Sequence, residues 1–156
     1  MKMRKIDWKV FLFFFFYTFI LAGIGVLLSG GFNLDSLNKP PLAPPAWVFP
    51  IVWTLLYAAM STAAYLVFVS NDIDRSATLR LYLLQVVINV LWPVFFFRFE
   101  WRLFAFFWLL LLLAAVALTT AGFKNISRTA YYLMIPYIIW ILFAAYLNIG
   151  FYLLNK

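Results

Sequence analysis

Apolar residues run along this chain in five long stretches, and charged residues interrupt them only near their ends. Charge-free runs cover residues 10–34, 40–71, 81–97, 103–123 and 129–155. A helix needs about 20 apolar residues to cross about 30 Å of hydrocarbon at 1.5 Å per residue. Each run supplies one crossing, the third being the shortest. The pattern predicts helical spans over residues 8–28, 46–69, 78–97, 102–121 and 129–154. The runs are too long, and lack the apolar/polar alternation, for the strands of a membrane barrel. The expected fold class is an all-α integral membrane protein, a five-transmembrane-helix bundle read as one domain over residues 1–156.

Three connections, at residues 70–77, 98–101 and 122–128, are short, which makes successive helices antiparallel neighbours. The first, residues 29–45, reads S-G-G-F-N-L-D-S-L-N-K-P-P-L-A-P-P. Loops beyond about 12–15 residues are usually functional or disordered. Gly30 and Gly31 give it a flexible start, and Pro40, Pro41, Pro44 and Pro45 stiffen its second half. Such a segment suits a lid over one end of the bundle; an ordinary solvated connector has the same composition.

Composition strengthens the membrane reading. The 156 residues are 67% hydrophobic and 11% charged, against roughly 45–50% and about 25% in soluble domains. A soluble fold of this length could not hide that much apolar surface. The first run follows a basic segment (Lys2, Arg4, Lys5, Lys9). It exceeds a signal peptide's apolar core and lacks a clear cleavage site, so it reads as a retained helix.

The net charge of +7 forms no nucleic-acid patch, because the basic residues sit at span ends. Lys2, Arg4, Lys5, Lys9, Arg75, Arg80, Lys124 and Arg128 fall on one side of a five-span arrangement. Lys39, Arg98, Arg102 and Lys156 fall on the other. The positive-inside rule then predicts the N-terminus in and the C-terminus out.

The chain has no cysteine and no histidine, so the usual zinc, iron–sulfur and haem ligands are missing and no metal site is expected. Its five acids, Asp7, Asp35, Asp72, Asp74 and Glu100, lie near span ends or in loops. An intramembrane carboxylate relay, the usual mark of a proton-coupled carrier, is therefore unsupported. Hydrolysis by paired carboxylates or a His base is equally unsupported.

Amides, hydroxyls and indoles remain. In the third span Gln85, Asn89 and Trp92 share one helical face. Pro93 clashes with the carbonyl of Asn89 and removes its own donor. These groups serve either interhelical hydrogen bonding, worth about 0.6–2 kcal/mol, or a polar anchor in a ligand pocket. The fifth span carries Pro136, Trp140, Ala144, Leu147 and Asn148 at three- and four-residue steps, and the second carries Phe49, Trp53, Tyr57 and Met60. Three stripes each bearing a Trp could line a flat apolar cavity. Interfacial belts are the competing use of Trp, and Trp8, Trp47 and Trp101 fit that use.

The segment L-N-K-P-P-L-A-P-P-A-W-V-F-P-I-V-W-T-L-L-Y-A-A-M (residues 37–60) resembles the signature of the TspO/MBR family. The likeness continues through Q-V-V-I-N-V-L-W-P-V-F-F-F (85–97), Thr119-Thr120 and P-Y-I-I-W-I-L-F-A-A-Y-L-N (136–148). Members are known as tryptophan-rich sensory proteins in bacteria and as translocator proteins, or peripheral benzodiazepine receptors, in mitochondria.

The resemblance implies a five-helix homodimer in a bacterial cell membrane, with a cavity closed by the first loop. It also implies a receptor or sensor for porphyrins (protoporphyrin IX, haem) and benzodiazepine-receptor ligands, without an obligatory cofactor. Carried onto this chain, the ligand-binding residues are Trp53, Asn89, Trp92 and Trp140, with Pro44, Pro45, Ala46, Phe49, Tyr57, Phe143, Ala144 and Leu147 completing the wall. Some bacterial members degrade protoporphyrin in light, which would make Trp53 and Trp140 photochemical groups rather than conventional catalytic residues. Transport of porphyrin or lipid is the alternative function, and regulation of another membrane protein is a third. Leu147, Tyr152 and Lys156 meet a loose sterol pattern, but the residues after Asn148 depart from the family's form, and the pattern arises cheaply.

Overall fold

The computed structural model describes residues 6–32, 34, 36–70 and 72–156. Lys2, Arg4 and Lys5, on which much of the expected orientation rests, lie outside them. Five α-helices form: α1 (Trp8–Ser29), α2 (Val48–Val69), α3 (Arg75–Pro93), α4 (Arg102–Ile126) and α5 (Arg128–Leu154). A π-helical segment, Val94–Arg98, prolongs α3, and the described residues contain no strand. All five are long and apolar enough to cross a membrane. Side chains exposed on this bundle, Phe13, Ile20, Leu55, Phe107 and Ile139 among them, face lipid rather than water, as expected when the solvent is hydrocarbon.

Local chemistry sets the helix ends. Asp7 caps α1 by accepting the Lys9 and Val10 N–H groups at 3.2 and 3.3 Å. Gly30, at φ 76°, ends α1 in the left-handed conformation that costs glycine nothing. Several boundaries differ from the sequence expectation: α2 starts at Val48 rather than residue 46, and α3 gives way to the π-helical segment after Pro93. α3 begins three residues early, at Arg75 rather than residue 78, and the Arg75 side chain turns back to donate to the Phe68 carbonyl at 3.0 Å. α4 runs five residues past residue 121 to Ile126. Lys124 sits in its last turn, where a cation suits the helix dipole. Ser127 alone then links α4 to α5 and caps α5 by accepting the Ala130 N–H at 3.3 Å.

Around the bundle the packed order is α1–α2–α5–α4–α3, closing back onto α1. Gly25 brings α1 against α3 so closely that a Cβ there would lie 2.7 Å from the Val90 carbonyl oxygen. Several buried polar groups are paired across helices, as suits a lipid environment. The Thr18 hydroxyl shares a hydrogen bond with Tyr82, and Trp108 Nε1 donates to the Ile88 carbonyl at 2.8 Å. With five antiparallel helices the first loop and the end of α5 meet at the same face.

Candidate functional site

Beneath the first loop, between α1, α2, α3 and α5, lies a cavity of about 340 Å³. α2 supplies Phe49, Pro50, Trp53, Thr54 and Tyr57, one helical face read at three- and four-residue steps. α3 supplies Asn89, Val90, Trp92 and Pro93, and the π-helical segment adds Phe96 and Phe97. Ala144, Leu147, Asn148 and Phe151 of α5 and Phe32, Leu34 and Ala46 of the loop complete that part of the wall. The π-helical register follows Pro93, which cannot donate to the Asn89 carbonyl, and it presents Phe96 to Phe151 at 5.8 Å between ring centroids.

The polar groups of this wall are held by one another. The Tyr57 hydroxyl donates to Asn89 Oδ1 at 3.1 Å. Asn89 Nδ2 donates to the Tyr137 hydroxyl, which donates to Gln85 Oε1 at 3.0 Å. Trp92 Nε1 donates to Asn148 Oδ1 at 2.9 Å, and Asn148 Nδ2 donates to the Arg102 carbonyl at 2.7 Å. Trp53 stacks on Tyr57 at 5.4 Å and meets the edge of Tyr137 at 6.2 Å. These contacts set the orientation of the rings in the wall.

Of the residues singled out from sequence, Ala46, Phe49, Trp53, Tyr57, Asn89, Trp92, Ala144 and Leu147 line the cavity together. Trp140, Phe143, Pro44 and Pro45 do not line it. Trp140 stands against Phe49, edge to face at 5.9 Å, and Phe143 lies beside Trp140. The Trp140 Nε1 is buried without a hydrogen-bond partner. Sequence reasoning missed α1 entirely: Phe19, Ala22, Gly23 and Val26 form a fourth wall. They recur at three- and four-residue steps, but in a span that is apolar on every side this spacing does not single them out.

The first loop is fastened over this site. The Asn38 N–H donates to Asn155 Oδ1 at 2.8 Å, and Asn155 Nδ2 returns a bond to the Asn38 carbonyl at 2.9 Å. The Tyr146 hydroxyl donates to the Pro41 carbonyl at 2.8 Å. Pro40 is buried and lies so near Gly150 that a Cβ there would be 2.6 Å from its ring.

A match to the TspO/MBR family extends over residues 11–153, which contain every residue of the cavity wall. The chain belongs to the TspO/MBR family. It is 36% identical to the tryptophan-rich sensory protein of Cereibacter sphaeroides over 145 residues, 92% of this chain and 90% of that one. It is 33% identical to protein CrtK of Rhodobacter capsulatus, covering 84% and 83% of the two chains. It is 37% identical to the translocator protein of Ovis aries, covering 72% and 69%. The five-helix integral membrane architecture is thus reached from the run lengths and from family membership alike. Among the described residues no group of His, Cys, Asp or Glu could hold a metal ion.

Proposed function

We propose that this TspO/MBR protein is a membrane receptor or sensor that takes a flat, mostly apolar tetrapyrrole such as protoporphyrin IX into the cavity. The observation that carries the reading is the wall itself. Trp53, Phe49, Trp92 and Phe96 offer aromatic surface, while Asn89 and Asn148 place amides among them. Small-molecule sites have this composition, a mostly apolar lining with few fixed polar groups. A macrocycle stacks on the Trp53 face, and an amide or loop group meets its polar edge. The same wall accepts the aromatic ligands of the benzodiazepine-receptor type.

Trp53 lines the space that such a ligand fills, so it is the indole positioned to give an electron to a photoexcited porphyrin. Light- and oxygen-dependent breakdown of the ligand requires no general acid or base, and the wall contains no carboxylate, histidine or lysine. Transport is the less favoured reading, since no carboxylate, histidine, lysine or arginine lines the cavity to couple movement to an ion gradient. The N-terminus in, C-terminus out orientation and a homodimeric assembly belong to the same proposal. The first rests on the basic residues at the span ends, the second on the family likeness.

Titration of the detergent-purified protein with protoporphyrin IX, followed by tryptophan fluorescence, tests the reading. Saturable quenching is expected. Quenching that rises linearly, without saturation, contradicts it.

A further inference from the structure

The first loop is bolted to α5, yet the cavity is not closed on its α1–α2 side. Near the bundle's other face the two helices are tied together. The Asp7 N–H donates to the Tyr65 hydroxyl at 3.0 Å, Phe11 meets Tyr65 at 5.5 Å, and Phe19 meets Tyr57 at 5.9 Å. Continuing that antiparallel register places Gly23 and Val26 opposite Trp53 and Pro50. Gly23, Val26, Pro50 and Thr54 line the cavity and are also exposed on the bundle's flank. A Cβ built on Gly23 meets nothing within 4 Å. α1 cannot lean across to fill the gap, because Gly25 is seated on the Val90 backbone of α3.

Resting on the receptor reading, we propose that this gap is a lateral portal through which the ligand passes directly between lipid and cavity, with Gly23 as its size-determining residue. The rim is suited to hydrocarbon: the one hydroxyl on it, Thr54, is spent on its own helix, donating to the Pro50 carbonyl at 2.8 Å. No polar group is stranded in lipid while the portal stands open. Along the cavity the exposed lining continues to Phe32 and Ala46 in the first loop. The portal therefore runs from the hydrocarbon up to the level of the loop. The ligand class that fits is a membrane-dissolved amphiphile, a flat apolar body with an anionic or polar edge that stays at the interface. A solute delivered from water would need the loop to lift.

Two readouts test the portal. In bilayers containing phospholipid brominated on the acyl chains, a contact quencher, Trp53 emission is taken as the difference between the parent protein and Trp53→Phe. The portal predicts that bromolipid quenches this component and that Gly23→Leu reduces the quenching at least twofold. Equal quenching in both proteins, or none in the parent, overturns the portal, and this readout needs no ligand. With protoporphyrin IX in vesicles, Gly23→Leu should slow association and dissociation together by about tenfold. A disulfide between Asn38→Cys and Asn155→Cys, in a chain that has no other cysteine, should leave both rates unchanged. Association abolished by the disulfide and unaffected by Gly23→Leu assigns access to the loop and overturns the proposal. Failure of saturable binding in the parent, with bromolipid quenching intact, overturns the receptor reading and leaves the portal standing.

Discussion

Trp92 and Asn148 join α3 to α5 at the cavity wall: the indole N–H donates to the amide oxygen at 2.9 Å. The same amide donates onward to the Arg102 carbonyl at 2.7 Å, so one side chain ties three helices. Asn148→Leu keeps the volume and removes both bonds. Intramembrane hydrogen bonds average about 0.6 kcal/mol and reach about 1.7, so a loss of about 1–3 kcal/mol is expected for the two. A lowered thermal unfolding midpoint in detergent would register it; an unchanged midpoint would show that the pair carries no stability.

Gly25 and Gly23, two residues apart, should respond oppositely to the same change. At Gly25 a methyl group would meet the Val90 carbonyl oxygen at 2.7 Å, a backbone atom that cannot rotate away. Gly25→Ala should therefore push α1 from α3 and cost about 1–3 kcal/mol. Gly23→Ala meets open space and replaces glycine with a better helix former, so stability should hold or rise by up to about 1 kcal/mol. Unfolding midpoints of the two variants, compared side by side, check the contrast.

The loop's fastening should be measurable by hydrogen exchange. Asn155→Ala deletes the acceptor of the Asn38 N–H and the donor to the Asn38 carbonyl. A net contribution of about 1.4 kcal/mol from the two bonds corresponds to roughly tenfold faster exchange at Asn38. Exchange in the helical part of α2 should not change.

The helices and much of the wall were legible in the sequence for a simple reason. Charges punctuate the spans, and Trp53, Asn89 and Trp92 recur on helical faces with few other polar or indole groups nearby. Two features were not legible. Inward and outward faces of α1 are both apolar, because lipid and core accept the same side chains, so nothing marked Phe19, Ala22, Gly23 and Val26 as wall residues. Spacing also assigns a residue to a face but not to a layer, and so Trp140, on the expected stripe, stands against Phe49 without lining the cavity. The early start at Arg75 and late end at Ile126 have a related cause. Long cationic side chains reach the interface from inside a helix end, and a charge does not mark the boundary.

Breakdown of bound protoporphyrin IX should require light and dioxygen together, since no carboxylate, histidine or lysine lines the cavity. Absorbance loss in illuminated, aerated samples is expected, with none in the dark or under argon. Turnover in the dark would indicate conventional catalysis.

The central claim, that the Trp53 face is where the ligand stacks, is tested most directly by protoporphyrin IX affinity in Trp53→Phe beside Trp101→Phe. Trp53 lines the cavity, whereas Trp101 is 56% exposed outside it. Aromatic stacking is worth about 0.5–1.5 kcal/mol beyond buried area. The account predicts roughly two- to tenfold weaker binding for Trp53→Phe and parent-like binding for Trp101→Phe. Equal affinity in all three proteins would contradict it.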